Sequence, residues 1–209
     1  MSDTVKGRNI YCVVKDQYGK TAQSKTFVLR ESVSIINEPA ATAYAKHGAK
    51  VSVQIEAVGD GLTYTWYIKN ANAAKYSKSS ITSAKYSATM SDTVKDRCIY
   101  CVVKDQYGKT VQSKTFVLRE SVSITTQPKT VTVANGATAK VSVSARGDGL
   151  TYTWYFKNAG QTSYSKSSVT KATYSTTMNS KSVNRLLYCV VKDTYGNSVK
   201  TETVKLKMK

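Results

Sequence analysis

An all-β chain of repeated sandwich modules is the fold class that the sequence predicts. Three observations predict it: an internal repeat, an apolar alternation of period two, and turn signals at short, regular spacing. Residues 1–31 recur at 90–120 with changes only at Gly7/Asp96, Asn9/Cys98 and Ala22/Val111. A second match carries residues 61–70 onto 149–158, a shift of 88 that persists through Tyr76/Tyr164, Met90/Met178, Cys101/Cys189 and Gly108/Gly196. The chain of 209 residues therefore divides into a partial module at 1–31, holding the last two strands, and two complete modules at 32–120 and 121–209. A pattern cut at both ends reads as an excerpt from a longer array. Met1 aligns with Met90 and Met178, as an internal residue or a misplaced start.

The elements follow in order within a module. In the third, residues 138–145 alternate small or apolar with polar side chains, and 151–157, 185–193 and 197–207 are rich in Val, Thr, Tyr or Trp. Such residues fit a pleated, half-buried surface. Between them stand Asn135-Gly136, Gly147-Asp148-Gly149, Asn158-Ala159-Gly160 and Tyr195-Gly196-Asn197, residue types that adopt tight turns. Roughly seven short strands per module is the signature of a sandwich. Pro39 and Pro128 mark where the first strand breaks or switches sheets, because proline cannot donate to a ladder. The junctions, residues 27–36 and 116–125, run from the last strand of one module into the first of the next. No glycine- or proline-rich spacer separates them, so a strand continuing across the boundary is expected to restrict hinge motion.

Composition narrows the function. Hydrophobic residues make up 41% and charged residues 21%, which excludes wholesale disorder. No apolar run approaches the ~20 residues of a membrane helix, so no membrane insertion is expected. The start of the chain carries no secretory signal pattern. Lys and Arg total 31 against 13 Asp and Glu, a formal charge of +18. The lysines are scattered, which does not suit specific nucleic-acid binding, for which a concentrated basic stripe and a reader motif would be needed. A diffuse field suits a wall polyanion or acidic glycan, with plain solubility as the other explanation.

Trp66 and Trp154 in an early strand, followed by Tyr-Cys-Val-Val-Lys-Asp at 100–105 and 188–193 and a Tyr-Gly turn, resemble the immunoglobulin fold. The tryptophans fall at its strand C position, and Cys101 and Cys189 at its strand F position. More narrowly, the segments at 59–70 and 147–158 are similar to Ig-like repeats of surface proteins from Gram-positive gut bacteria. That resemblance implies tandem immunoglobulin-like β-sandwiches. It departs from the antibody pattern at Ile55 and Val143, which stand where the second cysteine would be, so no inter-sheet disulfide is expected. The tyrosine-corner position holds Ile99 and Leu187.

Catalytic chemistry is not expected. Cys98 and Cys101 spell C-x-x-C, yet residues three apart on a strand face opposite sides, and no second pair completes a metal site. His47, the sole histidine, matches Asn135 in a hairpin turn. Asp60/Asp148 and Asp105/Asp193 are expected at one end of the sandwich, where turn chemistry accounts for them better than a calcium cage in so basic a chain. No cofactor and no metal is assigned. Arg146, Gly147 and Asp148 spell a cell-attachment tripeptide on what should be an exposed loop.

The tyrosines, 15 beside 3 phenylalanines, say more. With Trp66 and Cys101 inward, alternation sends Tyr67, Lys69, Tyr100 and Lys104 outward, and the third module repeats this with Tyr155, Lys157, Tyr188 and Lys192. Neighbouring strands C and F then share a tyrosine-lysine face. Such a face suits protein or glycan contacts, and it equally suits cross-strand pairing that stabilises the sheet.

The expected function is a non-enzymatic extracellular segment of a bacterial surface protein, acting as a rigid stalk with an adhesive role on host or cell-wall partners. The alternatives are a binder of a host protein (immunoglobulin or integrin) or of a glycan, and an accessory domain of a secreted carbohydrate-active enzyme. Residues 1–31 are expected as a loosely held hairpin in a mostly monomeric protein that self-associates weakly through it.

Overall fold

The computed structural model describes residues 5–209, and Met1 lies outside the described residues. Every regular element among them is a strand. The leading segment forms β1 (Asn9–Ile10), β2 (Val13–Lys15), β3 (Thr21–Gln23) and β4 (Phe27–Val28). β2 pairs with β3 and β1 with β4, both antiparallel, so the two predicted strands are one kinked hairpin. Its turn is set by Asp16, whose Oδ1 accepts from the backbone N–H of Tyr18 and of Lys20, each at 2.9 Å. An aspartate that bonds its own backbone two residues on is a strong turn former.

The second module contains β5 (Ser34–Asn37), β6 (Thr42–Ala45), β7 (Lys50–Gln54), β8 (Glu56–Val58), β9 (Thr63–Lys69), β10 (Ser77–Lys78), β11 (Lys85–Thr89), β12 (Arg97–Lys104), β13 (Thr110–Gln112) and β14 (Phe116–Glu120). Its main sheet runs β10-β9-β12-β14-β6, with β13 also on β12, while β7 pairs with β11 and β5 with β8. The third module repeats the plan with β15 (Ser123–Thr126), β16 (Val131–Val133), β17 (Thr138–Ser142), β18 (Ser144–Arg146), β19 (Thr151–Lys157), β20 (Ser165–Lys166), β21 (Thr173–Thr177), β22 (Leu186–Lys192), β23 (Ser198–Lys200) and β24 (Val204–Met208). There the order is β16-β24-β22-β19-β20, with β17 on β21 and β15 on β18. Pro39 and Pro128 stand between the strand that pairs in the small sheet and the one that joins the main sheet. The first strand thus switches sheets at each proline.

The period-two reading fixes the strand phase. Ile99, Cys101 and Val103 of β12 are buried while Tyr100 and Val102 between them are half-buried. Trp66 and Trp154 are fully enclosed, and each indole N–H donates at 2.8 Å to a backbone carbonyl, of Ser83 and of Lys171. A buried indole keeps its large apolar area out of water only if that N–H finds a partner. Tyr86 packs on Trp66 with ring centroids 5.5 Å apart, and Tyr174 on Trp154 at 5.7 Å. Ile55 and Val143 are buried where a cysteine would pair with strand F, and all four cysteines are free. Burial pushes the Cys101 thiol up to about 12 and the Cys189 thiol up to about 11, so both stay protonated and inert near neutral pH.

By compactness the chain divides into two units. One comprises the residues up to Ala43 with Ser52–Ala88 and Asp96–Leu118; the other comprises Tyr44–Val51, Thr89–Lys95 and Arg119–Lys209. Each unit therefore holds one junction between consecutive repeats.

Candidate functional site

Each main sheet carries a tyrosine face. In the first unit β12 lies antiparallel to β9 with Tyr100 opposite Tyr67. The register stacks their rings, with centroids 5.0 Å apart and planes 15° from parallel. Tyr76 completes the group edge-on to Tyr100 at 4.9 Å, and the Lys69 ammonium sits 5.3 Å from the Tyr76 ring centre. In the second unit Tyr155 and Tyr188 stack at 5.0 Å, Tyr164 meets Tyr188 edge-on at 4.8 Å, and Lys157 lies 5.3 Å from Tyr164. Burial first, then the neighbouring Tyr155 and Tyr164, hold the Tyr188 hydroxyl above its usual pKa.

Not every predicted member joins. Lys104 and Lys192 are exposed at the far ends of β12 and β22, opposite Thr63 and Thr151. Four residues of strand separate them from Tyr100 and Tyr188, roughly 13 Å at the rise of an extended chain, too far for the same cluster. Their place beside Tyr188 is taken by Lys200 of β23, 4.0 Å from its ring centre. Tyr76 and Tyr164 sit just before strands of two residues, too short to show a period; the shared Tyr-Ser-Lys at 76–78 and 164–166 was the available signal.

A second recurrent constellation lies at the junctions. In the first unit Lys6 Nζ pairs with Asp60 Oδ1 at 2.6 Å and with Glu31 Oε2 at 3.2 Å, and the Arg30 guanidinium stands 4.0 Å over the Tyr107 ring. Tyr107 Oη in turn donates to Asp60 Oδ2 at 3.2 Å. The second unit repeats three of these contacts: Lys95 pairs with Asp148, Arg119 lies 5.0 Å over Tyr195, and Tyr195 Oη donates to Asp148 Oδ2 at 3.0 Å, while Glu120, the counterpart of Glu31, pairs with Arg146. The hydrogen bond from Lys6 holds the Asp60 carboxyl below the usual range and raises the Lys6 ammonium above its own.

Arg146, Gly147 and Asp148 lie in this network, which corrects their reading as an exposed loop. Arg146 Nε donates to Glu120 Oε1 at 3.0 Å and its Nη2 to Asp92, while Asp148 is engaged by Lys95 and Tyr195. Gly147 is required by space, since a Cβ there would lie 2.9 Å from Leu150 Cδ2 and 3.1 Å from the Val122 Cα, at a φ of +140°. The tripeptide is a half-buried structural turn.

Asp105 and Asp193 directly follow β12 and β22, at the strand end predicted, with Gln106 and Thr194 donating backbone N–H to the Asp60 and Asp148 carbonyls at 2.9 Å. The two aspartate sets thus meet at one end, as hydrogen-bond acceptors of turns. Asp193 is buried, which by itself would raise its pKa. Bonds from the Asn197 side chain and the Val122, Asn197 and Tyr195 backbone outweigh this and hold it low. Among the described residues His47, Asp92 and Glu120 bring one ligand atom each within 4.8 Å of one another. The Arg146 guanidinium already bridges both carboxylates, so the cation this cluster requires is supplied by the chain itself.

No protein-family model matches the chain, and no curated protein matches it either. Solved structures do. The chain is similar over its whole length to Dscam1 isoform 7.44, N-terminal four Ig domains, at 14% identity and a TM-score of 0.53, and to Dscam1 isoform 9.44 with the same figures. It covers 56% of each of those chains. At that identity the likeness establishes the fold: tandem immunoglobulin-like β-sandwiches with a leading partial module.

Proposed function

We propose that the chain is a non-enzymatic, extracellular segment of a bacterial surface protein whose Ig-like modules serve as a stiffened stalk. The observation that carries this reading is the recurrence of one contact set, Lys–Asp, Tyr–Asp and Arg over Tyr, at both junctions. Repeated ion pairs and ring contacts between consecutive modules limit rotation about the connecting residues. The bacterial and extracellular assignment rests on the resemblance of the Gly-Asp-Gly-Leu-Thr-Tyr-Thr-Trp and Tyr-Cys-Val-Val-Lys-Asp segments to Gram-positive surface repeats. The test is small-angle scattering with fluorescence distance distributions, comparing the wild type with the double variant Lys95→Ser and Arg119→Ser. A broadened distance distribution in the variant with unchanged module melting supports a stiffened junction. An equally broad wild-type distribution refutes it.

A second reading, adhesion, draws on the two tyrosine-lysine faces. Stacked, rim-exposed tyrosines flanked by Lys69 or by Lys157 and Lys200 suit a glycan, a wall polyanion or a protein surface. The internal pairing of Arg146 and Asp148 removes the support for integrin recognition through that loop.

A further inference from the structure

The outer face of the second unit's main sheet carries cations without anions. Its strands β16, β24, β22, β19, β20 and β23 contain no Asp or Glu. Residues directly opposite on neighbouring antiparallel strands share a face. Register therefore puts Lys166 beside Tyr155, Tyr155 beside Tyr188, Lys200 beside Val190 and Lys205 beside Leu186. Lys157 follows two residues after Tyr155 on the same strand and so on the same face. Among the described residues the ion pairs fall elsewhere, on Lys6, His47, Lys95, Lys114 and Arg146, and none neutralises these four lysines. Two of them are held by rings instead: Lys200 lies 4.0 Å from the Tyr188 ring centre and Lys157 lies 5.3 Å from that of Tyr164. A ring face orients an ammonium and leaves its charge uncancelled. The matching face of the first unit is poorer. Lys69 and Lys78 correspond to Lys157 and Lys166, but Gln112 and Val117 stand where the second unit has Lys200 and Lys205. Two near-identical tyrosine clusters thus differ by two positive charges at matched register positions.

We propose that the second unit's face binds an acidic polysaccharide, its lysines pairing with the polymer's carboxylates or sulfates and its tyrosine rims packing against the sugar rings. The proposal rests on the adhesive reading of the tyrosine-lysine faces, and names the ligand class and the unit that holds it. Charge complementarity selects an anion. Hydroxyls select a sugar: those of Tyr155, Tyr188 and Thr153 both donate and accept, as sugar hydroxyls do, whereas a carboxylate only accepts and is met by lysine. The Tyr188 hydroxyl, held above its usual pKa by burial first, remains a donor at neutral pH. A protein partner would call for a desolvated apolar anchor site. Leu186 and Val190, the apolar side chains flanking Tyr188 on this face, are already half-buried and offer none.

Isothermal titration of the full chain at low salt is the test. Polygalacturonate and dextran sulfate serve as acidic glycans, neutral dextran as the uncharged one, and polyglutamate as a carboxylate polymer without sugar. Binding of either acidic glycan is expected, the tighter of the two naming the anionic group, with polyglutamate weaker and dextran silent. Lys200→Gln combined with Lys205→Gln should weaken the tighter glycan about tenfold, against less than about twofold for Lys140→Gln on the other sheet of the same module. Tyr188→Phe keeps the ring stack and should weaken the glycan about fivefold while leaving polyglutamate unchanged. Melting of both modules should be unchanged in every variant. Gln112→Lys with Val117→Lys should give the first unit a matching second site. A lysine double variant that binds as the wild type does overturns the proposal. Equal affinity for polyglutamate overturns the sugar assignment while the adhesive reading stands, and no binding of any polymer removes both.

Discussion

Residues 5–31 and 94–120 are nearly the same sequence in two environments. Both form the same hairpin. The Cys12 amide donates to Ser24 Oγ at 2.9 Å and the Cys101 amide to Ser113 Oγ at 2.9 Å, while Asp16 and Asp105 close the same turn. Local hydrogen bonding is thus written into the segment itself. Burial is not: Phe116 is 0% exposed and Phe27 is 62% exposed. The difference shows that the turn and ladder are local properties, whereas the hydrophobic stabilisation of this hairpin comes from the rest of the sandwich, β9 beside it and the sheet across the core.

The largest expected contrast is in core truncation. Phe116→Ala should destabilise the second module by about 3–5 kcal/mol, the usual cost of emptying a buried aromatic site. Phe27→Ala should change no module transition by more than about 0.5 kcal/mol. Denaturant melts followed by tryptophan fluorescence decide between them, and equal losses would break the comparison.

Thiol chemistry sharpens it. Below denaturing conditions at neutral pH, Cys12 should react with an aromatic disulfide reagent at the rate of a free peptide thiol. Cys101 and Cys189, held protonated and covered, should stay unmodified until unfolding. Their raised folded-state values also mean stability that is intact below the ordinary thiol range and is lost as pH rises from about 9 toward 12.

Smaller effects follow at the capping hydroxyls and carboxylates. Ser113→Ala removes a bond to a buried amide and should cost about 1–2 kcal/mol, against a few tenths for Ser24→Ala in contact with water. Asp193 and Asp60 are held below the ordinary carboxylate range. Their contribution is present above about pH 4 and is lost as pH falls through their folded values. Asp193→Asn should therefore flatten the acid limb of a stability–pH curve.

Much of this was legible in the chain. Period-two alternation around Trp66 and Cys101 placed the inward and outward residues of β9 and β12, and hence the Tyr67–Tyr100 pair, because sheet geometry admits only two phases. The same rule cannot limit reach along a strand, so Lys104 and Lys192 were grouped with rings they do not touch. The junction network was invisible for a different reason. Lys95, Asp148, Arg146 and Glu120 are far apart in sequence and meet only after two modules fold. For that reason Arg146-Gly147-Asp148 read as a free tripeptide when it is a paired one. The connecting strand is also less continuous than its composition suggests: β14 ends at Glu120 and β15 begins at Ser123, with Ser121 bonded to the Ala45 carbonyl at 2.9 Å.

Amide hydrogen exchange resolved to Val14 and Val103 reads the central contrast directly, because the two amides share their ladder position and differ in what surrounds it: β9 beside β12 and the sheet packed across the core. Val103 should exchange only through unfolding of its module, slower than Val14 by at least a thousandfold. Comparable protection at the two sites would show that the hairpin is stabilised by its own bonds, and would contradict the account.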